Sequence, residues 1–411
     1  MTAVRRIYEI CDAVLRRGCY LSEELSLSLS RDRADAGFIT AVCYGIFDRL
    51  VQLDAVLDNL LLKRPKPAVR NLLRVGCYLV RESDMPDYAA VNASVELCRE
   101  LGKQAVCGMV NSVLKQAGNV ALPEGDGDEA LSVRYSFPLW IVRRYREEYG
   151  ARAEALLSFR PGSREHIRVN PSRIDFENFC SLLSCQEVGF ERSECEGCLW
   201  VDYGALMERR VDPSFYTKQN YGSVRIVDFC RVEDGMRVLD CCAAPGGKSV
   251  LIAQRNPSGS VVAGELHEHR VELIKSYCAR MGANNVQPIV QDATVFREEW
   301  RKGFDCVLCD VPCSGLGVLY SKPDIKYFRK EEDIGALAKI QHEILTCSAG
   351  YVRPGGRLIY STCTLLCEEN EQQVRAFMKR HDGFELEEEM KLLPFEGGHE
   401  GFYAARMIRN K

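Results

Sequence analysis

Two cysteines follow short apolar runs that have the length and composition of buried strands. Cys313 comes after the run 305–310, within Asp-Val-Pro-Cys-Ser-Gly, and Cys363 comes after the run 356–362, within Ser-Thr-Cys-Thr. Open α/β sheets bind their ligands beyond the carboxyl ends of the strands. A thiol at that edge can act as a thiolate nucleophile, whereas a thiol in an apolar core is inert. Either cysteine alone is compatible with a core thiol, but the two together favour chemistry.

A glycine-rich turn, Ala-Ala-Pro-Gly-Gly-Lys, joins the apolar run 237–240 to a helical stretch. It lacks the Gly-x-Gly-x-x-Gly pattern of a dinucleotide loop and the glycine spacing of a phosphate-binding loop. At the end of the next apolar run stands Glu265, 19 positions after Gly246, where a carboxylate suits the hydroxyls of a ribose. A glycine pair alone is usually only a turn, so this carboxylate is what indicates a nucleoside cofactor.

A further carboxylate, Asp292, ends the third apolar run. It is placed to lie beside an adenine amino group, although acidic residues at this position often only cap the following helix. Asp310 ends the fourth run, three positions before Cys313. The sequence thus predicts a cluster of carboxylates and thiols at one edge of a sheet.

The elements that would position these residues lie in the C-terminal half of the chain. There, apolar runs alternate with helical patterns, which predicts a doubly wound α/β domain. Residues 1–117 instead carry apolar positions at spacings of three and four, including one stripe over 38–62, and predict a helical bundle. Residues 118–130 are rich in glycine and acidic side chains and are expected to form a linker.

We therefore predict a multidomain protein with three parts. A helical domain covers 1–120, connecting helices and a small α+β subdomain cover 131–222, and an α/β Rossmann-like domain covers 223–411. The 46% of hydrophobic residues argues against disorder. No stretch of about 18 apolar residues or signal peptide is evident, so we expect a cytoplasmic protein without a membrane partner.

The 20 cysteines mostly stand singly in apolar segments, which favours reduced thiols over disulfides. Cys195 and Cys198 have zinc-ligand spacing, but Cys180 and Cys185 are too widely spaced to complete a convincing site, so no metal is expected. The net charge of −4 argues against indiscriminate nucleic-acid binding but not against a local basic groove. The cluster 143–146 is compatible with such a groove and with a solvated helix face.

Together, the glycine turn, Asp-Val-Pro-Cys-Ser-Gly and Ser-Thr-Cys resemble the motifs of the bacterial RsmB-type 16S ribosomal RNA (cytosine carbon-5) methyltransferases. All three occur here in order. The resemblance implies S-adenosylmethionine as cofactor, Cys363 as nucleophile and Cys313 as the group that assists product release. The implied cofactor contacts are Cys242, Ala243, Ala244, Pro245, Gly246, Gly247, Lys248, Glu265, Asp292 and Asp310.

This chemistry explains the residue types. Carbon 5 of cytosine is a poor nucleophile, but addition of a thiolate to carbon 6 makes the ring enamine-like, so that carbon 5 can attack a methyl sulfonium. A carboxyl group that pairs with the base edge stabilises the charge on the ring, and Asp310 is placed for that role. The base must be reached out of its stack or in single-stranded RNA.

The resemblance covers nearly the whole chain and is weakest at 171–215. The segments 53–57, 72–79 and 109–114 look like a NusB-like RNA-binding domain, which implies small-subunit ribosomal RNA as the partner. Glu265 and Asn220 replace the family's usual aspartates, Phe137 replaces a histidine, and Glu400 stands where an aspartate is usual. None of these changes removes a catalytic group.

Two other functions remain open at this point. The same chemistry on a transfer RNA is one, and a non-catalytic NusB-like RNA-binding assembly factor is the other. The second is disfavoured because both cysteines and the glycine turn are present. A DNA cytosine methyltransferase is also disfavoured, because those enzymes draw their nucleophile from the cysteine after the fourth strand. We expect no DNA partner and a monomer.

Overall fold

The computed structural model describes residues 2–397 and 399–410, which divide into two compact units. The first contains Met1–Ser158 and Leu319–Glu331, and the second contains Phe159–Val318 and Glu332–Lys411. The chain therefore leaves the second unit shortly after Cys313, contributes one segment to the first, and returns.

The first unit is helical. Its helices are α1 (Ala3–Arg17), α2 (Leu21–Arg31), α3 (Ala36–Asp48), α4 (Leu50–Leu60), α5 (Pro67–Glu82), α6 (Asp87–Glu100), α7 (Cys107–Ala117), α8 (Asp128–Tyr135), α9 (Leu139–Tyr149), α10 (Ala153–Ser158) and α16 (Ile325–Phe328). Its core is formed by the apolar stripes of α1 and α3–α7, as the sequence periodicity predicts, and α2 adds Leu21 and Leu25. Two details differ from expectation: α8 begins inside the predicted linker, and the stripe 38–62 is broken at Arg49.

The segment Leu319–Glu331 is anchored in this unit by a buried lysine. Lys326 is 1% exposed, and its ammonium donates to the backbone oxygens of Asp48 at 2.9 Å and Ser136 at 3.1 Å. It also lies 4.6 Å from the ring centre of Phe137. A buried ammonium is tolerated only when such partners replace its hydration.

In the part of the second unit that the structure describes there are two sheets. The smaller, antiparallel sheet has the order β2-β3-β1-β4 and comprises β1 (Glu165–Val169), β2 (Phe190–Arg192), β3 (Cys198–Val201) and β4 (Tyr216–Lys218), with α11 (Phe176–Cys185) and α12 (Tyr203–Glu208). A separate apolar core lies beneath it. This is the small α+β subdomain that the sequence predicts.

In the described residues the larger sheet has seven strands in the order β10-β11-β9-β8-β5-β6-β7. They are β5 (Arg237–Asp240), β6 (Ser260–Glu265), β7 (Val286–Val290), β8 (Phe304–Asp310), β9 (Val352–Thr362), β10 (Phe384–Leu392) and β11 (Phe402–Arg409). Its helices are α13 (Tyr221–Cys230), α14 (Gly247–Arg255), α15 (Glu268–Met281), α17 (Asp333–Ala349), α18 (Glu371–Met378) and α19 (Pro394–Gly397). The prediction of an α/β Rossmann-like domain is confirmed.

Strands β5 to β9 are parallel, whereas β10 and β11 are antiparallel to their neighbours. All five apolar runs singled out in the sequence are the parallel strands. Their carboxyl ends meet at one edge of the sheet, and the loops that follow them carry the predicted cofactor and catalytic residues.

Among the described residues, no single helix is long and apolar enough to cross a membrane, and only α3 and α4, bent by 72°, pass such a test as a pair.

Candidate active site

The glycine-rich turn lies between β5 and α14. Gly246 has a φ of 104°, which strains any other residue, and a Cβ atom there would crowd the side chain of Ile274 at 3.2 Å. The amide of Ala243 donates to the carbonyl of Gly264 in β6 at 2.9 Å. The turn is thus fixed against the neighbouring strand, and α14 begins directly behind it with its amide groups directed towards the turn.

Glu265 ends β6 and is 4% exposed. Its carboxylate accepts from the amide of His267 and from the guanidinium of Arg270, both at 3.2 Å. Arg270 lies on α15, and no motif in the surrounding sequence marks it as a site residue. The pair holds the carboxylate in place and leaves acceptor capacity for a further donor.

Asp292 is exposed and lies beyond β7. One carboxylate oxygen accepts from the amide of Thr294 at 2.9 Å and from its hydroxyl at 2.7 Å. These hydrogen bonds from Thr294 lower the pKa of Asp292. The side chain therefore closes the turn after β7, the structural role that an acidic residue often has there, and its second oxygen remains available.

Gln291 lies next to Asp292 and is 4% exposed, yet neither atom of its side-chain amide has a hydrogen-bond partner among the described residues. A buried amide without a partner costs on the order of 1–3 kcal/mol. Gln291 was not among the predicted site residues, since a glutamine before an aspartate has no distinguishing pattern. Its unsatisfied amide, the carboxylate of Glu265 and the Gly246 turn are a donor and acceptor set that fits a nucleoside.

Lys248 and Asp310 form an ion pair at the centre of the site, with 2.6 Å between nitrogen and oxygen. The second oxygen of Asp310 accepts from the hydroxyl of Ser361 at 2.9 Å. Burial lowers the pKa of Lys248, but the charge and hydrogen bond of Asp310 outweigh it, and the charge of Cys363 adds to the increase. The sequence assigned Lys248 only to the cofactor turn, whereas in the structure its ammonium donates to Asp310 at the end of β8.

The two cysteines singled out in the sequence are in contact. The sulfur atoms of Cys313 and Cys363 lie 3.3 Å apart, and the amide of Cys363 points at the sulfur of Cys313 at 3.4 Å. Both side chains are partly exposed. The hydrogen bond with Cys363 raises the pKa of Cys313 well above its ordinary value, with smaller contributions from burial and from the charges of Cys363 and Glu369.

Glu369 is a buried carboxylate that was not among the predicted site residues. It holds the loops of Cys313 and Cys363 together. It is fully buried and accepts from the amide of Ser314 at 2.8 Å and from the hydroxyl of Thr364 at 3.1 Å. Ser314 follows Cys313, and Thr364 follows Cys363. In the sequence, Glu369 is one of several acidic residues shortly after Ser-Thr-Cys-Thr, and nothing distinguishes it from its acidic neighbours.

The remaining candidates lie outside this edge of the sheet. Arg143 and Arg146 pair with Asp128 and Glu129, so these two cations of the predicted basic cluster are partly neutralised within the helical unit. Cys195 and Cys198 are buried. Among the described residues, no group of three or more histidine, cysteine or acidic side chains is arranged to hold a metal ion.

Comparison with known proteins places this geometry in a family. Residues 229–408 match the model of the 16S rRNA methyltransferase RsmB/F family, and residues 2–119 match the NusB family. A probable ribosomal RNA small subunit methyltransferase B of Bacillus subtilis is 31% identical over 406 residues, which cover 90% of each chain. The chain belongs to the RsmB/F family.

The other relatives agree with this assignment. The ribosomal RNA small subunit methyltransferase B of Citrobacter koseri is 29% identical, over 97% of this chain and 96% of its own. The crystal structure of PH0851 has the same fold, with a TM-score of 0.82, 23% identity and 99% of each chain covered. As an RsmB/F protein with a NusB domain, the chain is an S-adenosylmethionine-dependent RNA cytosine carbon-5 methyltransferase.

Proposed function

We propose that this RsmB/F protein methylates carbon 5 of one specific cytosine in 16S ribosomal RNA, with Cys363 as the nucleophile and Cys313 as the group that allows product release. The observation that carries this proposal is the 3.3 Å contact between the two sulfur atoms, beside the Lys248–Asp310 ion pair. A thiol with a pKa near its ordinary value of about 8.5 is mostly protonated at neutral pH, so a nucleophilic cysteine needs a cation near it. Lys248 is that cation.

The turn Cys242–Lys248 and the acidic residues Glu265 and Asp292 hold the cofactor. We assign the ribose hydroxyls to the carboxylate of Glu265, because Arg270 and His267 fix its direction and leave it acceptor capacity. The exposed oxygen of Asp292 and the unsatisfied amide of Gln291 suit the polar edge of an adenine. When bound, S-adenosylmethionine supplies an electrophilic methyl group to carbon 5.

Residues of this chain perform the other steps. The Cys363 thiolate adds to carbon 6 of the cytosine and forms a carbon–sulfur bond, which makes carbon 5 electron-rich. After methylation, a base removes the proton from carbon 5, and the returning electron pair expels the Cys363 sulfur as a thiolate. Cys313 lies in contact with that sulfur, which places it within reach of the adduct.

Asp310 and Lys248 orient the base and balance charge. Asp310 is held on both carboxylate oxygens, by Lys248 and by Ser361, so its position at the end of β8 is fixed before substrate arrives. We assign the amino edge of the cytosine to this carboxylate. The ammonium of Lys248 stabilises the thiolate in the free enzyme and the negative charge that develops on the ring.

The choice of 16S ribosomal RNA rests on the NusB domain and on the names of the full-length relatives. Bisulfite sequencing of ribosomal and transfer RNA from cells with and without the gene tests it. We expect one cytosine of the small-subunit RNA to lose its protection when the gene is deleted. Loss of protection in a transfer RNA alone would contradict the substrate, and unchanged RNA in both pools would contradict the proposed function.

A further inference from the structure

Glu369 is an ionisable group in a place where a neutral residue would satisfy the same hydrogen bonds. Its carboxylate lies within hydrogen-bond distance of four groups, namely the amide and hydroxyl of Ser314, the hydroxyl of Thr364 and the side-chain amide of Gln341. Because the two hydroxyls have one proton each and also contact each other, one of them donates to the other, and the carboxylate receives three donors at a time. Every one of these donors is neutral. Burying a carboxylate without a cation is costly even when it is well hydrogen-bonded, so the negative charge itself calls for an explanation.

These four groups connect the elements that carry the two thiols. Ser314 and Thr364 also bond each other through their hydroxyls at 2.7 Å, and the amide of Gln341 donates to the carbonyl of Pro312 at 3.0 Å. Pro312 and Ser314 flank Cys313 on both sides. The loop of Cys313 is therefore held at three points by a network that ends on one carboxylate, and the loop of Cys363 is held at one.

The charges around the thiol pair are arranged asymmetrically. Lys248 pairs with Asp310, whose other oxygen accepts from Ser361, two positions before Cys363, and the charge of Cys363 contributes to the raised pKa of Lys248. Glu369 accepts from the amide of Ser314, directly after Cys313, and is joined through Gln341 to Pro312, directly before it; its charge contributes to the raised pKa of Cys313. A cation favours a thiolate, whereas an anion favours a protonated thiol. Two thiols in contact titrate as a pair, so these two charges decide which sulfur loses its proton first.

We propose that Glu369 is a positioning residue that holds Cys313 against Cys363 and keeps the proton of the pair on Cys313, so that the thiolate of the free enzyme resides on Cys363. The inference rests on the proposed function for the identity of the nucleophile. It goes further by assigning the choice between two adjacent thiols to a buried carboxylate that contacts neither substrate nor cofactor.

Thiol alkylation of the full chain tests this without RNA or cofactor. The protein is treated briefly with iodoacetamide at a series of pH values, and labelling at each of the two cysteines is read by peptide mass spectrometry. In the wild-type protein we expect Cys363 to label first, with a pH midpoint below that of Cys313. Equal midpoints, or earlier labelling of Cys313, would overturn the proposal without any variant.

The informative variant is Glu369→Gln, because glutamine keeps the shape and still accepts from the amide of Ser314. Its amide nitrogen can donate to the hydroxyls of Ser314 and Thr364, which accept as well as donate. Removing the charge should lower the ratio of Cys363 to Cys313 labelling by about tenfold, which corresponds to a shift of about one pKa unit. An unchanged ratio would show that the charge has no role.

Glu371→Gln is the matched control. Glu371 lies two positions away, is half-buried and accepts from Lys391 at 2.8 Å, with no hydrogen bond to either cysteine loop. Its labelling ratio should equal that of the wild type, and a similar fall in both variants would overturn a specific role for Glu369. Failure of the wild-type protein to methylate RNA would contradict the proposed function instead, while the labelling ratio would still be measurable.

Discussion

Replacement of Asp240 by asparagine should stabilise the α/β domain at neutral pH. Asp240 ends β5 and is 1% exposed; one of its oxygens accepts from Ser249 at 2.6 Å, and the other has no partner among the described residues. Burial raises the pKa of Asp240 from 3.8 to about 6, with a further increase from Asp310, against the lowering effects of Ser249 and Lys248. The native state therefore binds the Asp240 proton more tightly than the unfolded chain does.

The sign and size of the effect follow from this difference. Stability from the protonated group is fully present below pH 3.8 and is lost as the pH rises through about 6. A difference of two pKa units corresponds to about 3 kcal/mol. Asparagine cannot ionise, but its amide nitrogen takes the position of the unpartnered oxygen, which costs about 1 kcal/mol. We expect Asp240→Asn to be more stable than the wild type by about 2 kcal/mol at pH 8, and less stable by about 1 kcal/mol near pH 4.

The assay is urea unfolding at pH 4, 6 and 8. The unfolded fraction is measured by a pulse of hydrogen exchange at one common pH, in which peptides of β5 and β8 report on the α/β domain. Asp305→Asn is the control, because Asp305 lies in the same sheet and pairs with Arg353 at 2.6 Å. Its replacement should destabilise the domain by about 1 kcal/mol at pH 8. A stability difference between Asp240→Asn and wild type that does not increase with pH would contradict a raised pKa of Asp240 in the native state.

Three further substitutions test other parts of the structure. Glu265→Ala should weaken binding of S-adenosylmethionine by roughly 10- to 100-fold in calorimetry, because a charged hydrogen bond of about 1.5–3 kcal/mol is lost, and an unchanged Kd would remove Glu265 from the cofactor site. Lys326→Met should lower the stability of the helical unit by about 1–3 kcal/mol, since it leaves the backbone oxygens of Asp48 and Ser136 without the ammonium that donates to them, and unchanged hydrogen exchange in α4 would contradict this. Asn220→Asp should place a second carboxylate against Glu400, where Asn220 now donates its side-chain amide. That variant should lose about 1–2 kcal/mol at pH 8 but much less at pH 4, and equal losses at both would exclude charge repulsion as the cause.

The parallel strands were predictable because each is a short apolar run between helical patterns, and buried parallel strands have this composition. That Cys313 and Cys363 lie at the same edge of the sheet was predictable, because each follows such a run. Their contact did not follow, because it depends on the register between β8 and β9 and on the loops beyond them. Sequence spacing predicts that a residue lies at a strand end, but hydrogen bonds between the loops determine the distance between the side chains that they carry.

The features that the sequence did not reveal depend on partners far away in the chain. The helical stripe 38–62 breaks at Arg49 without glycine or proline, and the first amides of α4 are satisfied by the hydroxyl of Ser136, 85 positions from Val51. Glu369 depends on Ser314, 55 positions earlier. Such long-range caps leave no periodic signal, since the local sequence is compatible with an unbroken helix or an exposed acidic loop.

A denaturing gel of the Cys313→Ala variant, incubated with small-subunit RNA and S-adenosylmethionine, tests whether Cys363 is the nucleophile and Cys313 the group that allows release. Without Cys313 to assist release, we expect a covalent protein–RNA adduct that survives denaturation, with mass spectrometry locating the bond at Cys363, and no adduct in Cys363→Ala. Normal release of methylated RNA by Cys313→Ala, or an adduct that forms when Cys363 is absent, would contradict the assignment of the two thiols.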